Sequence, residues 1–332
     1  MKKLFLSAAI LFALAPAKAQ LSDWQNQHNK QIMFFTTYLG PSLSEGDGQA
    51  VKEIELGQQF WYRAYMDDKS LPKSTDGKLD LRLSCEGVSV TLNDMCIYAK
   101  DNFASSNGIL PNYDQIEIPG VSSNWKNKNV YSNMAFSEPG QFDKYSSYGC
   151  QNNWQFTESL LRFLLSKIDS KVLPGAVLNI KFELVYRTKG EYRMPGATYE
   201  PVVEGTVNLK IPAKEKALNN QIYRLVEVPG MADKVLDEGI KKGILTLAQT
   251  VVADVYKVQV VSNSYNIDKN NYGTPLSRWV QARVIYKGKA TGETFTGLVN
   301  VVFNYDGSNY DQNASKVYFQ CGNTFAPSFA IK

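Results

Sequence analysis

WVQARVIYKGKATGETFTGLVNVVFNYDG, residues 279–307, carries alternating apolar and polar side chains on both sides of a polar, glycine-bearing turn. Val280, Ala282, Val284 and Tyr286 fall on one face of a first strand, and Val299, Val301 and Phe303 on one face of a second. Period-two patterning of this kind predicts an antiparallel hairpin with one buried face, because successive side chains of a strand point to opposite sides. The stretch offers no nucleophile with a partner base, so it reads as scaffold.

Upstream of the hairpin the period changes. Val235, Leu236, Ile240, Ile244, Leu247, Ala248 and Val251 make a stripe at helical spacing, which predicts a long helix over 231–252. Gly239 and Gly243, four apart, suit a close approach of that helix to a neighbour, at a propensity cost of about 1 kcal/mol each relative to alanine. Further strands are expected at 256–261 and 316–320. Residues 213–332 are thus expected to form an α+β domain, a long helix packed on a curved antiparallel sheet. The run KVQVVSNSYNIDKNNYGTPLSRWVQARVIY through TGLVNVVFNYDG, with the helix before it, resembles the helix-plus-curved-sheet units of the cystatin-like or NTF2-like type in secreted bacterial proteins. That resemblance implies a cone that holds a ligand or mediates pairing, and it transfers no catalytic residue.

The first half of the chain is mainly period two. In VLNIKFELVYR, residues 177–187, Leu178, Ile180, Phe182, Leu184 and Tyr186 share one face, while Asn179, Lys181 and Glu183 share the other. Similar short runs lie at 32–38, 51–56, 59–66, 79–83, 88–92 and 203–211, separated by Gly, Asp, Ser or Pro. One helix interrupts them, NWQFTESLLRFLLSKID, with Phe156, Leu160, Phe163 and Leu164 at helical spacing. Residues 20–212 are therefore expected to be a β-sandwich with one covering helix. Between 100 and 153 lies a long stretch rich in Asn, Ser, Tyr, Gly and Pro. Trp125, Tyr145 and Tyr148 stand there amid polar neighbours and are the expected ligand-contacting residues.

The N-terminus bears on compartment. Lys2 and Lys3, an apolar run over 4–15, and Ala17-Lys18-Ala19 before Gln20 form a secretory signal pattern, with cleavage expected near Ala19-Gln20. The apolar run is shorter than the roughly 20 residues that a bilayer core requires, so no transmembrane segment is expected after cleavage. Without residues 1–19 the charge is 33 basic against 32 acidic. A near-neutral chain without a clustered basic footprint is a poor partner for nucleic acid. Of the four cysteines, Cys85, Cys96, Cys150 and Cys321, the first two flank a short run that a disulfide could close; buried free thiols are the other reading, and three pairings exist if all are bridged.

Catalytic patterns are sparse. The single histidine, His28, lies in the polar QNQHNK, which disfavours Ser-His and Cys-His hydrolases. GDGQAV at 46–51 lacks the last glycine of a dinucleotide fingerprint, and no cofactor is expected. DKNNYG (268–273) starts like an EF-hand loop but has Trp279 where the twelfth-position glutamate belongs; DGSNYD offers Asp306 and Asp311 as a weak calcium pair. Glu53, Glu55, Asp67, Asp68, Glu183, Glu200 and Glu204 leave an extracellular carbohydrate hydrolase with a carboxylate pair as an alternative. A structural subunit of a surface assembly, joining through strand edges, is another. Aromatics make up 12% of the chain, with tyrosine the commonest. Strands favour such residues, which accounts for Trp61, Tyr62, Tyr65 and Trp279. The expected function is non-enzymatic: a secreted or periplasmic protein that binds a protein or glycan through aromatic and polar loops.

Overall fold

In the computed structural model of the chain, the residues described are 28, 30–36, 50–58, 60–65, 80–91, 130–136, 153–190, 196–214, 231, 234–289, 292–319, 324–326 and 328. They build two sheets. The first contains β1 (Gln31–Phe35), β2 (Glu53–Glu55), β3 (Phe60–Tyr65), β4 (Asp80–Cys85), β5 (Val88–Thr91), β6 (Val130–Phe136), β7 (Val177–Lys189) and β8 (Thr198–Lys210). The strand order is β5-β4-β7-β8-β1-β3-β6, and β2 also lies beside β8. β1 and β2 run parallel to β8, while the other pairs are antiparallel.

This sheet folds over on itself. Phe182 of β7 meets Phe34 of β1 at 5.0 Å and Tyr62 and Phe60 of β3 at 5.6 and 6.4 Å between ring centroids. β3 is three places from β7 in the strand order, which in a flat sheet means about 14 Å. The inner faces of the two ends therefore oppose each other, a β-rich arrangement compatible with a β-sandwich. The close crossing is at Gly205, where a Cβ would lie 2.1 Å from the Ile32 carbonyl oxygen. Helix α1 (Asn153–Lys167) touches β4, β5 and β6, strands from opposite ends of the order, and so covers the open side. It buries Leu160, Leu161, Phe163, Leu164 and Leu165, and with them Arg162, so the helix is covered all round over 160–165. β6, VYSNMAF, lies within the stretch expected to be loop, and pairing with β3 makes it a strand.

The second sheet contains β9 (Val252–Val260), β10 (Asn266–Lys269), β11 (Pro275–Gly288), β12 (Thr294–Asn304), β13 (Lys316–Phe319) and β14 (Thr324–Phe325). Its order is β10-β11-β12-β13, with β9 also beside β11 and β14 beside β12. The hairpin read at 279–307 is β11–β12, in register Val280↔Val301 and Ala282↔Val299. Its apolar face is buried throughout.

The fold class expected for the C-terminal half is corrected here. Among the described residues no long helix lies packed on a sheet: α2 spans only Lys234–Leu247, 14 residues, and buries Ile240, Gly243 and Ile244. Beyond Leu247 the chain turns, with Val251 N donating to Ala248 O, and Val252 opens β9. In sequence the helical stripe continues past Leu247, because Ala248 and Val251 fall in phase with it. Val251 and Val252 are β-branched, however, and strand pairing with β11 claims the segment from Val252 onward. Gly243 does permit a close approach, but to Ala314 in the connection before β13: a Cβ at 243 would come within 2.6 Å of the Ala314 Cβ.

The two sheets meet through α1 and the C-terminal residues. Phe163 packs on Phe325 at 4.7 Å, and Phe325 on Phe295 at 4.6 Å. Lys167 pairs with Glu293. Asp169, just past the helix, accepts from the Ser328 backbone N–H at 2.6 Å and from its hydroxyl. Among the described residues no helix is long and apolar enough to cross a membrane.

Candidate functional site

Glu183 and Glu204, acids on which a hydrolase would depend, lie directly opposite each other on β7 and β8. An ammonium stands between them. Lys181 Nζ is 3.0 Å from Glu183 and 2.7 Å from Glu204, and Arg82 Nε of β4 donates to Glu183 at 2.7 Å. Glu183 is 4% exposed. Burial pushes its pKa up, but hydrogen bonds from Arg82 and Lys181, with their charges, outweigh burial and hold it below the usual carboxylate value. Lys181 is raised by its bonds to Glu204 and Glu183. A glycosidase acid needs the opposite, a proton retained toward neutrality. The ladder extends along the same face through Asn179 and Asn208, bonded at 3.0 Å, and Ser84 and Ser89, at 2.8 Å. Glu53 pairs with Lys210, and Glu200 accepts from the Tyr186 hydroxyl. These contacts suit the cross-strand cohesion of a sheet.

The two turns considered for calcium come together at one end of the second sheet, where the β10–β11 turn adjoins the end of β12. Asn270 Oδ1 accepts from the backbone N–H of Tyr272 and Thr274, both at 2.9 Å. Asp306 Oδ1 accepts from the N–H groups of Asn309 and Ser308, both at 2.7 Å, which lowers its pKa. Asp311 Oδ2 accepts from the Ser315 hydroxyl at 2.5 Å. Such bonds make side-chain-capped turns. Among the described residues no three His, Cys, Asp or Glu side chains are grouped to hold a metal ion.

Between these turns Arg278 is held by aromatic rings. Its guanidinium carbon lies 4.1 Å from the Tyr265 ring centre, 4.7 Å from that of Tyr310 and 5.6 Å from that of Phe303. Tyr305 packs on Tyr310 at 4.9 Å. Stacking of a cation on aromatic faces fixes all the partners. On the same β10–β11 hairpin three large side chains are exposed: Tyr272 94%, Leu276 53% and Ile267 50%. Ile267 sits opposite Arg278 in the β10–β11 register, so both project from one face.

Trp125, Tyr145, Tyr148 and Cys96 lie outside the described residues, as do residues 1–19, Cys150, Cys321, Asp67 and Asp68. Cys85 is a buried free thiol, its pKa pushed up to about 11 by burial and by the neighbouring Glu86 charge. His28 is half-buried, and its carbonyl accepts from the Gln31 N–H. Tyr62 is a core residue at 1% exposure. Trp279, grouped with it on sequence grounds, is placed differently: it is only half-buried, and its indole N–H donates to Asp268 Oδ1 at 3.2 Å. Its parity offered a signal, since Trp279 alternates with the buried Val280 and so belongs to the opposite face. The aromatic cluster on Arg278 had no such signal, because its members come from four separate segments.

The chain matches no family model, no curated protein and no solved structure, so the cystatin-like or NTF2-like resemblance rests on the sequence pattern alone.

Proposed function

We propose that the chain is an exported, non-enzymatic binding protein that contacts a protein or glycan at the cell surface or in the periplasm. The observation supporting this reading is the end of the second sheet, where Tyr272, Leu276 and Ile267 are exposed beside a rigid Arg278 stack. Large side chains presented on a fixed frame lose little entropy when a partner covers them. Export is supported by the pattern of residues 2–20. The carboxylates of the first sheet favour the same reading, since Glu183 is held ionised by Arg82 and Lys181.

The test is binding of the labelled protein to isolated cell envelopes. The double variant Tyr272→Ala/Leu276→Ala should bind about tenfold more weakly, with its melting temperature unchanged because both side chains are exposed. Wild-type binding by that variant would remove this surface from the proposal. Trp125→Ala/Tyr148→Ala tests the remaining expected contacts in the same assay.

A further inference from the structure

The outer face of the second sheet carries a different chemistry from its end. Side chains of β11 alternate, so Trp279, Gln281 and Arg283 point away from the core face formed by Val280, Ala282 and Val284. The register places Asn300 opposite Gln281 and Tyr318 opposite Asn300, giving one row across three strands. The neighbouring row is Asn266, Trp279, Val302 and Lys316. Toward the β11–β12 turn the face is closed, since Arg283, Ile285 and Thr296 are buried. Toward Trp279 it opens, with Tyr318 48% exposed and Asn266 and Lys316 exposed.

This open half offers two aromatic rings with amides between them. Strand spacing and rise put Trp279 and Tyr318 about 12 Å apart, within the reach of a short oligosaccharide. The Trp279 ring is fixed by its bond to Asp268, whose other oxygen accepts from the Ser277 hydroxyl at 2.9 Å. Aromatic faces pack against the C–H faces of pyranose rings, and a half-buried amide such as that of Gln281 matches a pair of sugar hydroxyls in donor and acceptor character. The charge balance selects the kind of sugar. In these two rows the charged residue is Lys316; Arg283 lies in the closed half, and Asp268, one row further on opposite Ser277, has both oxygens engaged inside the protein. Lys316, two residues from Tyr318 on the same strand, is placed to meet a carboxylate on a sugar stacked there.

The geometry points to an acidic-glycan site on this face, taking a uronic-acid polysaccharide across Trp279 and Tyr318 with Lys316 on a sugar carboxylate. The inference rests on the non-enzymatic binding reading above and adds to it a second surface with a ligand class of its own.

Affinity gel electrophoresis of the full chain in alginate, with neutral dextran as control, tests it. Alginate should retard the wild type and dextran should not. Trp279→Ala, Tyr318→Ala and Lys316→Glu should each weaken retardation about tenfold, whereas Tyr272→Ala/Leu276→Ala should leave it unchanged. Trp279→Phe keeps a stacking ring but loses the bond to Asp268, and its partial retention guards against an alanine variant that fails to fold. Retardation by dextran equal to that by alginate would overturn the role of charge. Retardation lost in Lys316→Glu but kept in Trp279→Ala and Tyr318→Ala would reveal plain ion exchange and overturn the site. If alginate fails to bind while envelope binding still depends on Tyr272 and Leu276, the inference falls and the binding reading stands.

Discussion

Glu183 shows how one residue type can carry opposite meanings. A carboxylate on a strand's polar face reads in sequence as solvated or catalytic, and in the structure Glu183 is not solvated. It is buried and clamped by Arg82 and Lys181. The partner from β4 is 101 residues away, so no local pattern could announce it. The pKa direction carries a stability prediction. Because the folded-state pKa lies below the ordinary 4.5, the folded state binds fewer protons than the unfolded chain as that value is approached. The contribution of Glu183 is therefore fully present above the unfolded value and is lost as pH falls through the folded one. Glu183→Gln should cost about 3 kcal/mol at neutral pH, since it leaves Arg82 without its buried counter-charge. It should also flatten the loss of stability below pH 4.5 relative to wild type. Urea titrations of both proteins across that range measure the difference, and parallel acid profiles would show that Glu183 is not the group responsible.

At the scale of elements, periodicity was a sound guide wherever a strand had one wet and one dry face. β7 and the β11–β12 hairpin follow from alternation alone, and α1 from helical spacing. α2 misled because a helical stripe and a strand of β-branched residues abut at 248–252, where tertiary pairing decides. Close approaches were legible only in part: a glycine announces room but not the neighbour that takes it. Gly205 sits under the Ile32 carbonyl, with 2.1 Å to a would-be Cβ, whereas the Cβ of an alanine at 239 would find only Gln312 O at 4.0 Å. Replacement by alanine should therefore act with opposite signs. Gly205→Ala should destabilise by about 3 kcal/mol or more, because the obstacle is backbone that cannot rotate away. Gly239→Ala should stabilise by about 0.5 to 1 kcal/mol through helix propensity and the entropy of the unfolded chain. Chemical denaturation of the two variants separates them, and a neutral Gly205→Ala would mean that β1 does not cross β8 at that point.

For the whole molecule, sequence suggested a boundary near residue 212, because the length exceeds what one core usually serves and a polar connector follows. The buried side chains form a connected cluster, from Ile32 in the first sheet to Phe303 and Phe325 in the second. The link runs through α1: Phe163 packs on Phe325, Phe325 on Phe295, and the Lys167–Glu293 and Asp169–Ser328 contacts flank the rings. A seam of buried aromatic rings couples the stability of the parts it joins, because opening either sheet exposes rings belonging to both. Hydrogen exchange should therefore give the slowest amides of β7 and of β12 one common opening free energy. Phe325→Ala removes the middle ring of the three at a cost of about 3 to 5 kcal/mol, and that cost should fall unequally. β12 amides should then open at lower free energy than those of β7, turning one unfolding transition into two. Separate opening energies in the wild type would mean that the sheets are stable independently and that the seam contributes little. A common value in Phe325→Ala would place the coupling elsewhere, in the ion pair of Lys167 or the clasp of Asp169 on Ser328.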